Sequence, residues 1–504
     1  EKMITEEELK VKLDYLKDKN PKLITGTLCV NTKQKYGKNK RGIPIRLFKP
    51  FDSKFPNFKV ASKFENDEFI VINPTEVNDN KIPTGTNAGY KIGKINDQSS
   101  IRLAMQHYFN LYFKKFKGNI TQNIIINDQT QKENDRIVSI DPEGCIDIDD
   151  ALSFNNNILK IYLADITSLN EELFQFASKK MTTIYSDNVL HMYPDKFMSS
   201  CSLLKDQDRI ANICEIKLND NFEIIETKFY QKEIIVTENL SYDQVDNTSD
   251  TYLLNLMDVI EKIKFDYNSQ NNSRSHKIIE KVMVLSNHLV VSEFKKKNKN
   301  FIVRNHKSST SNTSSIPDEV KDFYKIYLSN SAEYITYNGE SKHSGLGITE
   351  YTHFTSPLRR FIDTLNHLIL FTNKEFSKEE LDLYCLKAND INKRIKKFEI
   401  ECRKLELLND EREYFYGYII DFIEVDVNYF KIKFYIPDLN MVLSHPIYNK
   451  KLLSLYNVSL NDNKLKITGE ENNEYYLFQI IDIKVHKRIN ATHFKNKLIY
   501  EILN

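Results

Sequence analysis

Four aspartates fall within ten residues of SIDPEGCIDIDDALSF (139–154): Asp141, Asp147, Asp149 and Asp150. This cluster constrains the fold more than any other feature, because carboxylates held so close repel one another unless a cation neutralises them. The stretch from Arg136 to Ile140 reads as a strand, Pro142 and Gly144 turn the chain, and ILKIYLADI (158–166) reads as a returning strand. The acids are therefore expected on a loop between buried strands, where repulsion raises their pKa values unless Mg²⁺ or Mn²⁺ offsets it. A solvated acidic turn is the plainer alternative for a bare DxDD. A calcium loop of the helix-loop-helix kind fits less well, since the glycine after the third acid and the downstream glutamate are missing.

A second segment, HSGLGITEYTHFTSPLRRFIDTLNHLIL (343–370), carries the other candidates. Ser356 is placed to cap a helix whose first position is Pro357, with a buried stripe of Leu358, Phe361, Leu365 and Leu368. On that reading Arg359, Asp363 and Asn366 share another face, with Arg360 and His367 beside them. Guanidinium groups on a first helical turn, added to its free N–H groups, would seat a phosphate. Read alone, the helix is served equally well by a surface Arg359–Asp363 pair.

Around these segments the pattern changes twice. Residues 4–18 have helical spacing, and LITGTLCV (23–30), GIPIRLF (42–48), NFKVAS (57–62) and FIVINP (69–74) then read as four or five short strands of a small barrel, closed by a helical IRLAMQHYFNLYFKKF (101–116). Polar insertions at 243–250, 268–276 and 306–315 read as exposed loops. A capping box at Ser377 and Glu380 opens a long helix with the seam Tyr384, Ala388, Ile391, Ile395, Phe398, Cys402 and Leu405. From about 414 onward strand alternation returns, which predicts a second small barrel.

SIDPEGCIDIDDA and YTHFTSPLRRFIDTLNH together resemble the two signatures of the ribonuclease II superfamily, which includes bacterial ribonucleases II and R and the catalytic subunit of the eukaryotic exosome. LADI (163–166), residues 182–211, LSYDQV (240–245), IEKVMVLSNHLV (279–290) and VRNH (303–306) follow in that family's order. The chain departs from the pattern at Leu368, where a basic residue is usual, and in the Ser/Thr/Asn-rich stretch after VRNH, which lacks the usual proline.

The resemblance implies a multidomain α+β protein: an N-terminal helix (1–22), a cold-shock or OB-type region (23–133), a central catalytic domain (134–410) and a C-terminal OB-type barrel (411–504). It also implies processive hydrolysis of single-stranded RNA from the 3′ end to nucleoside 5′-monophosphates, with Mg²⁺, or Mn²⁺ in its place, held by Asp141, Asp147, Asp149 and Asp150. By the same resemblance Asp149 and Arg359 are catalytic, and Tyr185, Arg359, Arg360 and Glu401 contact RNA, with Tyr185 stacking on the terminal nucleotide. In-line attack on a phosphodiester explains the acids, since cations must both activate water and steady the leaving oxygen. The rival of another class is a catalytically silent RNA-binding protein with the same fold.

Composition narrows the setting. With Lys plus Arg at 71 and Asp plus Glu at 70, the net charge is +1, so RNA would need a local basic surface. No apolar run reaches the roughly 20 residues of a membrane span. Six cysteines without a CxxC pair favour a reducing compartment, expected to be the cytoplasm, with organellar import left open by a chain that begins at Glu1. The expected partner is single-stranded RNA, protein partners are left open by the sequence, and a monomer is compatible with it.

Overall fold

The structure is a computed structural model that describes residues 5–33, 35–78, 81–120, 135–186, 189–267, 269, 271–307, 316–426, 429–448, 457–461, 464–468 and 473–503. Most of the polar insertion expected at 306–315 lies outside these residues. The chain forms two compact units: one of Glu1–Tyr112, Thr310–Leu328 and Arg394–Asn504, the other of Phe113–Ser309 and Ser329–Lys393.

In the first unit, a helix (Glu6–Lys19) opens with a reciprocal Thr5–Glu8 capping box. Six strands follow: β1 (Ile24–Cys29), β2 (Ile45–Pro50), β3 (Phe58–Ala61), β4 (Glu68–Pro74), β5 (Thr84–Asn87) and β6 (Gly93–Lys94). Their order, β1-β2-β3-β5-β4 with β4 pairing back to β1, closes a five-stranded barrel of the OB type. Alternating apolar residues fill it, with Leu28, Phe48, Phe58, Val60, Ile70 and Ile72 buried and Leu16 of the helix packed over them. Gly26 permits the closure, because a Cβ there would lie 2.2 Å from the Lys49 carbonyl oxygen. The helix expected at 101–116 spans Gln98–Tyr108 instead. It stops where Asn110 adopts a left-handed φ of 54°.

The same unit holds a curled five-stranded sheet, a half-barrel, in the order Met441–Tyr448, Tyr429–Ile436, Tyr414–Asp426, Ile480–Lys487 and Leu498–Ile502. Helix Asp318–Leu328, from within the span read as catalytic, packs on this sheet through Phe323, which stacks on Tyr435 with centroids 3.7 Å apart. The C-terminal segment returns to the first barrel, where His493 and Phe494 pack on Phe51 at 5.0 and 5.1 Å. Helix Lys378–Glu406 runs through both units, and its Ser377–Glu380 box forms as expected.

The second unit is built on a six-stranded sheet of β7 (Val138–Asp141), β8 (Asp150–Asn155), β9 (Ile158–Ala164), β10 (Asp208–Leu218), β11 (Ile224–Ile235) and β12 (Glu238–Ser241). The order is β11-β10-β9-β8-β7-β12, antiparallel except for the parallel β7–β12 pair. Helix Phe361–Phe371 is buried on every face from Phe361 to Leu370. Its polar side chains are all bonded, as such burial demands. Asn366 donates to Thr352 Oγ1 at 2.9 Å and to the His353 carbonyl at 3.0 Å, and His367 Nε2 meets the Phe354 carbonyl at 2.7 Å.

Candidate active site

The acidic loop joins β7 to β8, with Asp141 the last residue of one strand and Asp150 the first of the next. Backbone and hydroxyl bonds fix it between them. Ile148 N–H donates to Ser202 Oγ at 2.9 Å, Ser202 donates to the Ile146 carbonyl at 2.9 Å, and Ala164 N–H donates to the Asp149 carbonyl at 2.8 Å. The sequence thus places all four acids as anticipated, on a pinned loop at the end of buried strands.

The SPLRR segment differs from expectation in a way that defines the site. Residues 357–360 form a turn, and the helix starts at Phe361. Ser356 does not cap it. A tertiary bond takes the amide a Ser356 cap would have served, Leu358 N–H donating to Asp149 Oδ1 at 2.8 Å, and Phe361 N–H at the actual helix start donates to the Met181 carbonyl at 2.9 Å. Arg360 is extended, at φ −134° and ψ 121°. The Arg359 carbonyl accepts from Thr183 N–H and Thr182 Oγ1, both at 2.9 Å, which ties this turn to the segment carrying Tyr185.

The two arginines then part company. Arg359 Nε stands 3.2 Å from Asp149 Oδ2, its Nη2 donates to Ser356 Oγ at 2.8 Å, and 41% of its side chain is exposed whereas Asp149 is 4% exposed. Arg360, expected on RNA, spends its fork on Asp363, with Nε and Nη2 at 2.9 and 2.7 Å. Asp363 is fully buried and also accepts from Ser356 N–H at 2.8 Å. Burial works against the Arg360 charge, yet Asp363 and Tyr334 hold its pKa above the ordinary value. The i,i+4 Arg359–Asp363 pair is thus replaced by a buried Arg360–Asp363 pair that shapes the turn.

Tyr185 is 49% exposed, while its hydroxyl donates to Asp147 Oδ2 at 2.8 Å. Cys145 Sγ approaches the other Asp147 oxygen at 3.5 Å. Glu401 belongs to the first unit, where it pairs with Lys404 at 2.9 Å. Two neighbours of the acids lie in segments that the resemblance covers but have no role assigned to them from sequence. Tyr242 stacks on His276 with centroids 3.6 Å apart and lies close enough to Asp150 and Asp141 to feel their charge, and His191 Nδ1 lies 4.0 Å from Asp147 Oδ2.

Burial dominates the electrostatics. It pushes Asp149 up to about 7 against the pull of Arg359, and Asp141 up to about 6, with Asp147 adding to the shift. Asp150 is raised well above the usual range by burial, then by Asp141 and Asp149. Among the described residues, no three His, Cys, Asp or Glu side chains are already gathered as an ion cage. The Asp147 and Asp149 carboxylates are turned toward Tyr185, Cys145, Leu358 and Arg359. The donor chemistry nonetheless fits a hard divalent cation, since Asp141 Oδ2 is buried without a hydrogen-bond partner and desolvated acids crowd beside it.

This crowding makes stability depend on pH. Because the folded-state pKa of Asp150 exceeds that of the unfolded chain, its contribution is favourable at acid pH and is lost as pH rises through the folded value. In chelator, Asp150→Asn is expected to raise the melting temperature by roughly 2–4 °C at pH 8. Near pH 4 the two proteins should melt alike, and equal melting at both pH values would show that Asp150 bears no such strain.

Comparison with known proteins follows this geometry. A model of the RNB domain matches residues 129–257 and 247–375. The exosome complex exonuclease RRP44 of Mus musculus is 24% identical over 422 residues, 64% of this chain and 44% of that protein. The chain spans about half the length of the curated relatives it matches. Among solved structures, Mycoplasma genitalium RNase R in complex with ribose methylated single-stranded RNA superposes with a TM-score of 0.72, at 17% identity over 95% of this chain and 89% of that one. Yeast Ssd1, a pseudonuclease, superposes with a TM-score of 0.65, at 15% identity over 96% and 83%.

Proposed function

We propose that this chain, which carries an RNB domain and belongs to the ribonuclease II superfamily, is a divalent-metal-dependent exoribonuclease that hydrolyses single-stranded RNA from its 3′ end to nucleoside 5′-monophosphates. One observation carries the reading: across 210 positions, Arg359 and the buried Asp149 meet at 3.2 Å. A structural ion pair would have no need to leave the arginine side chain 41% exposed close enough to Asp141 and Asp150 to act on their charge.

Asp141, Asp147, Asp149 and Asp150 would hold the cation, whose chemistry is to activate water and steady the leaving oxygen. The protein's own groups do the rest. Arg359, anchored by Asp149 and Ser356, offers its exposed edge to the phosphate as charge gathers on its oxygens. Tyr185 presents a ring on which the terminal base can stack, its tilt set by the Asp147 bond. Arg360, by contrast, holds the turn through Asp363 and serves the phosphate only by fixing Arg359. Six cysteines without a CxxC pair suit a reducing intracellular setting.

The likeness to a pseudonuclease supports a second reading, an RNA-binding protein of the same fold without catalysis. Retention of all four acids and of Arg359 weighs against it. A 5′-labelled unstructured RNA separates the two. The expected result is shortening from the 3′ end to a small final product, halted by a chelator of divalent metal. Binding without shortening would establish the second reading, and an internal first cut would overturn the exonucleolytic one.

A further inference from the structure

His191 lies within the 182–211 segment without a role assigned to it there, and its backbone is fixed from three sides. Ile184 and Leu190 exchange N–H···O bonds of 3.1 and 3.0 Å, Met192 N–H donates to Thr183 Oγ1 at 3.0 Å, and Lys180 Nζ donates to the His191 carbonyl at 2.6 Å. The ring is held with Nδ1 at 4.0 Å from Asp147 Oδ2. That gap is too long for a hydrogen bond. Nδ1 is buried and makes no other bond, so its desolvation is uncompensated.

A cation placed between the buried imidazole nitrogen and the carboxylate oxygen would give both a partner. Two bonds of about 2.1 Å can span up to about 4.2 Å between donor atoms, which covers the gap. The Tyr185 hydroxyl need not leave, because a carboxylate oxygen accepts more than one partner.

We propose that His191 and Asp147 share a divalent cation, His191 adding an imidazole nitrogen to the oxygen donors of the acidic loop. The proposal rests on reading that loop as a metal site. Its consequence is specificity: a nitrogen donor is better tolerated by transition-metal ions, Co²⁺ more than Mn²⁺, than by Mg²⁺, which keeps to oxygen ligands.

Electron spin-echo measurements on the full-length protein, stripped with chelator and loaded with Mn²⁺ alone, test this directly. The expected spectrum carries modulation from a directly bound ¹⁴N, converted to the ¹⁵N pattern when only the histidines are labelled with ¹⁵N. His191→Gln should abolish it and weaken Mn²⁺ binding by at least about tenfold while Mg²⁺ binding holds. The labelled wild type requires no variant to fold, so the first comparison stands by itself. Bound Mn²⁺ without histidine nitrogen coupling, or coupling that survives in His191→Gln, overturns the proposal and leaves the acids as an all-oxygen site. Failure of the wild type to bind Mn²⁺ overturns it together with the metal reading.

Discussion

Asp149→Asn is expected to lower RNA hydrolysis by at least about 10³-fold, some 4 kcal/mol of barrier, while RNA affinity changes little. The amide matches the carboxylate in shape, and its oxygen can still accept from Leu358 N–H, now at 2.8 Å from Oδ1. What it loses is negative charge, and with it the attraction that holds Arg359 Nε at 3.2 Å from Oδ2. If the amide nitrogen takes the Oδ2 position, it opposes a donor with a donor. The substitution therefore removes a metal ligand and unmoors the phosphate-facing arginine in one step. Burial already disfavours the carboxylate, pushing it up to about 7, so the neutral amide should not cost the fold its stability. Single-turnover cleavage and equilibrium binding on the same RNA decide the outcome. Hydrolysis near the wild-type rate would mean that Asp149 is only a structural anchor.

The acidic loop was legible from sequence because a strand, a turn and a returning strand are local. So was the long helix, whose Ser377–Glu380 box lies within four residues. The start of helix Phe361–Phe371 was not. Ser-Pro is ordinarily a helix opening, but here Leu358 and Phe361 donate their amides to Asp149 and Met181, residues far away in the chain. A periodic stripe also fails when a helix is buried all round, so Asp363, Asn366 and His367 read as a polar face although all three are enclosed. Strand β5 escaped for the opposite reason, since Thr84–Asn87 has no apolar alternation and is held by pairing with β3 and β4. The partnership of Asp149 with Arg359 had no periodic signal at all. Only the resemblance joined the two segments, and it assigned Arg360 to RNA where the buried Asp363 claims it.

That division between neighbouring arginines supplies the other large effect. A guanidinium can hold two phosphate oxygens at once, whereas an ammonium is a compact point charge. Arg359→Lys keeps the charge but gives up the Nε bond to Asp149 and the Nη2 bond to Ser356 at the same time. If Arg359 meets the phosphate as charge develops, turnover should fall by about 10- to 1000-fold, with little change in RNA affinity, as for loss of one preorganised donor. Its stability should move by less than about 1 kcal/mol, because the side chain is 41% exposed. Arg360→Lys should behave in the opposite sense. Its two bonds to the fully buried Asp363 cannot both be kept by lysine, and a buried carboxylate that loses one of them costs about 1–3 kcal/mol. Turnover per folded molecule should fall less than for Arg359→Lys, since Arg360 acts on the phosphate only by fixing Arg359. Melting temperatures beside single-turnover rates at saturating enzyme distinguish the two residues. Matching rates for Arg359→Lys and the wild type would remove Arg359 from the reaction and leave the turn as architecture alone.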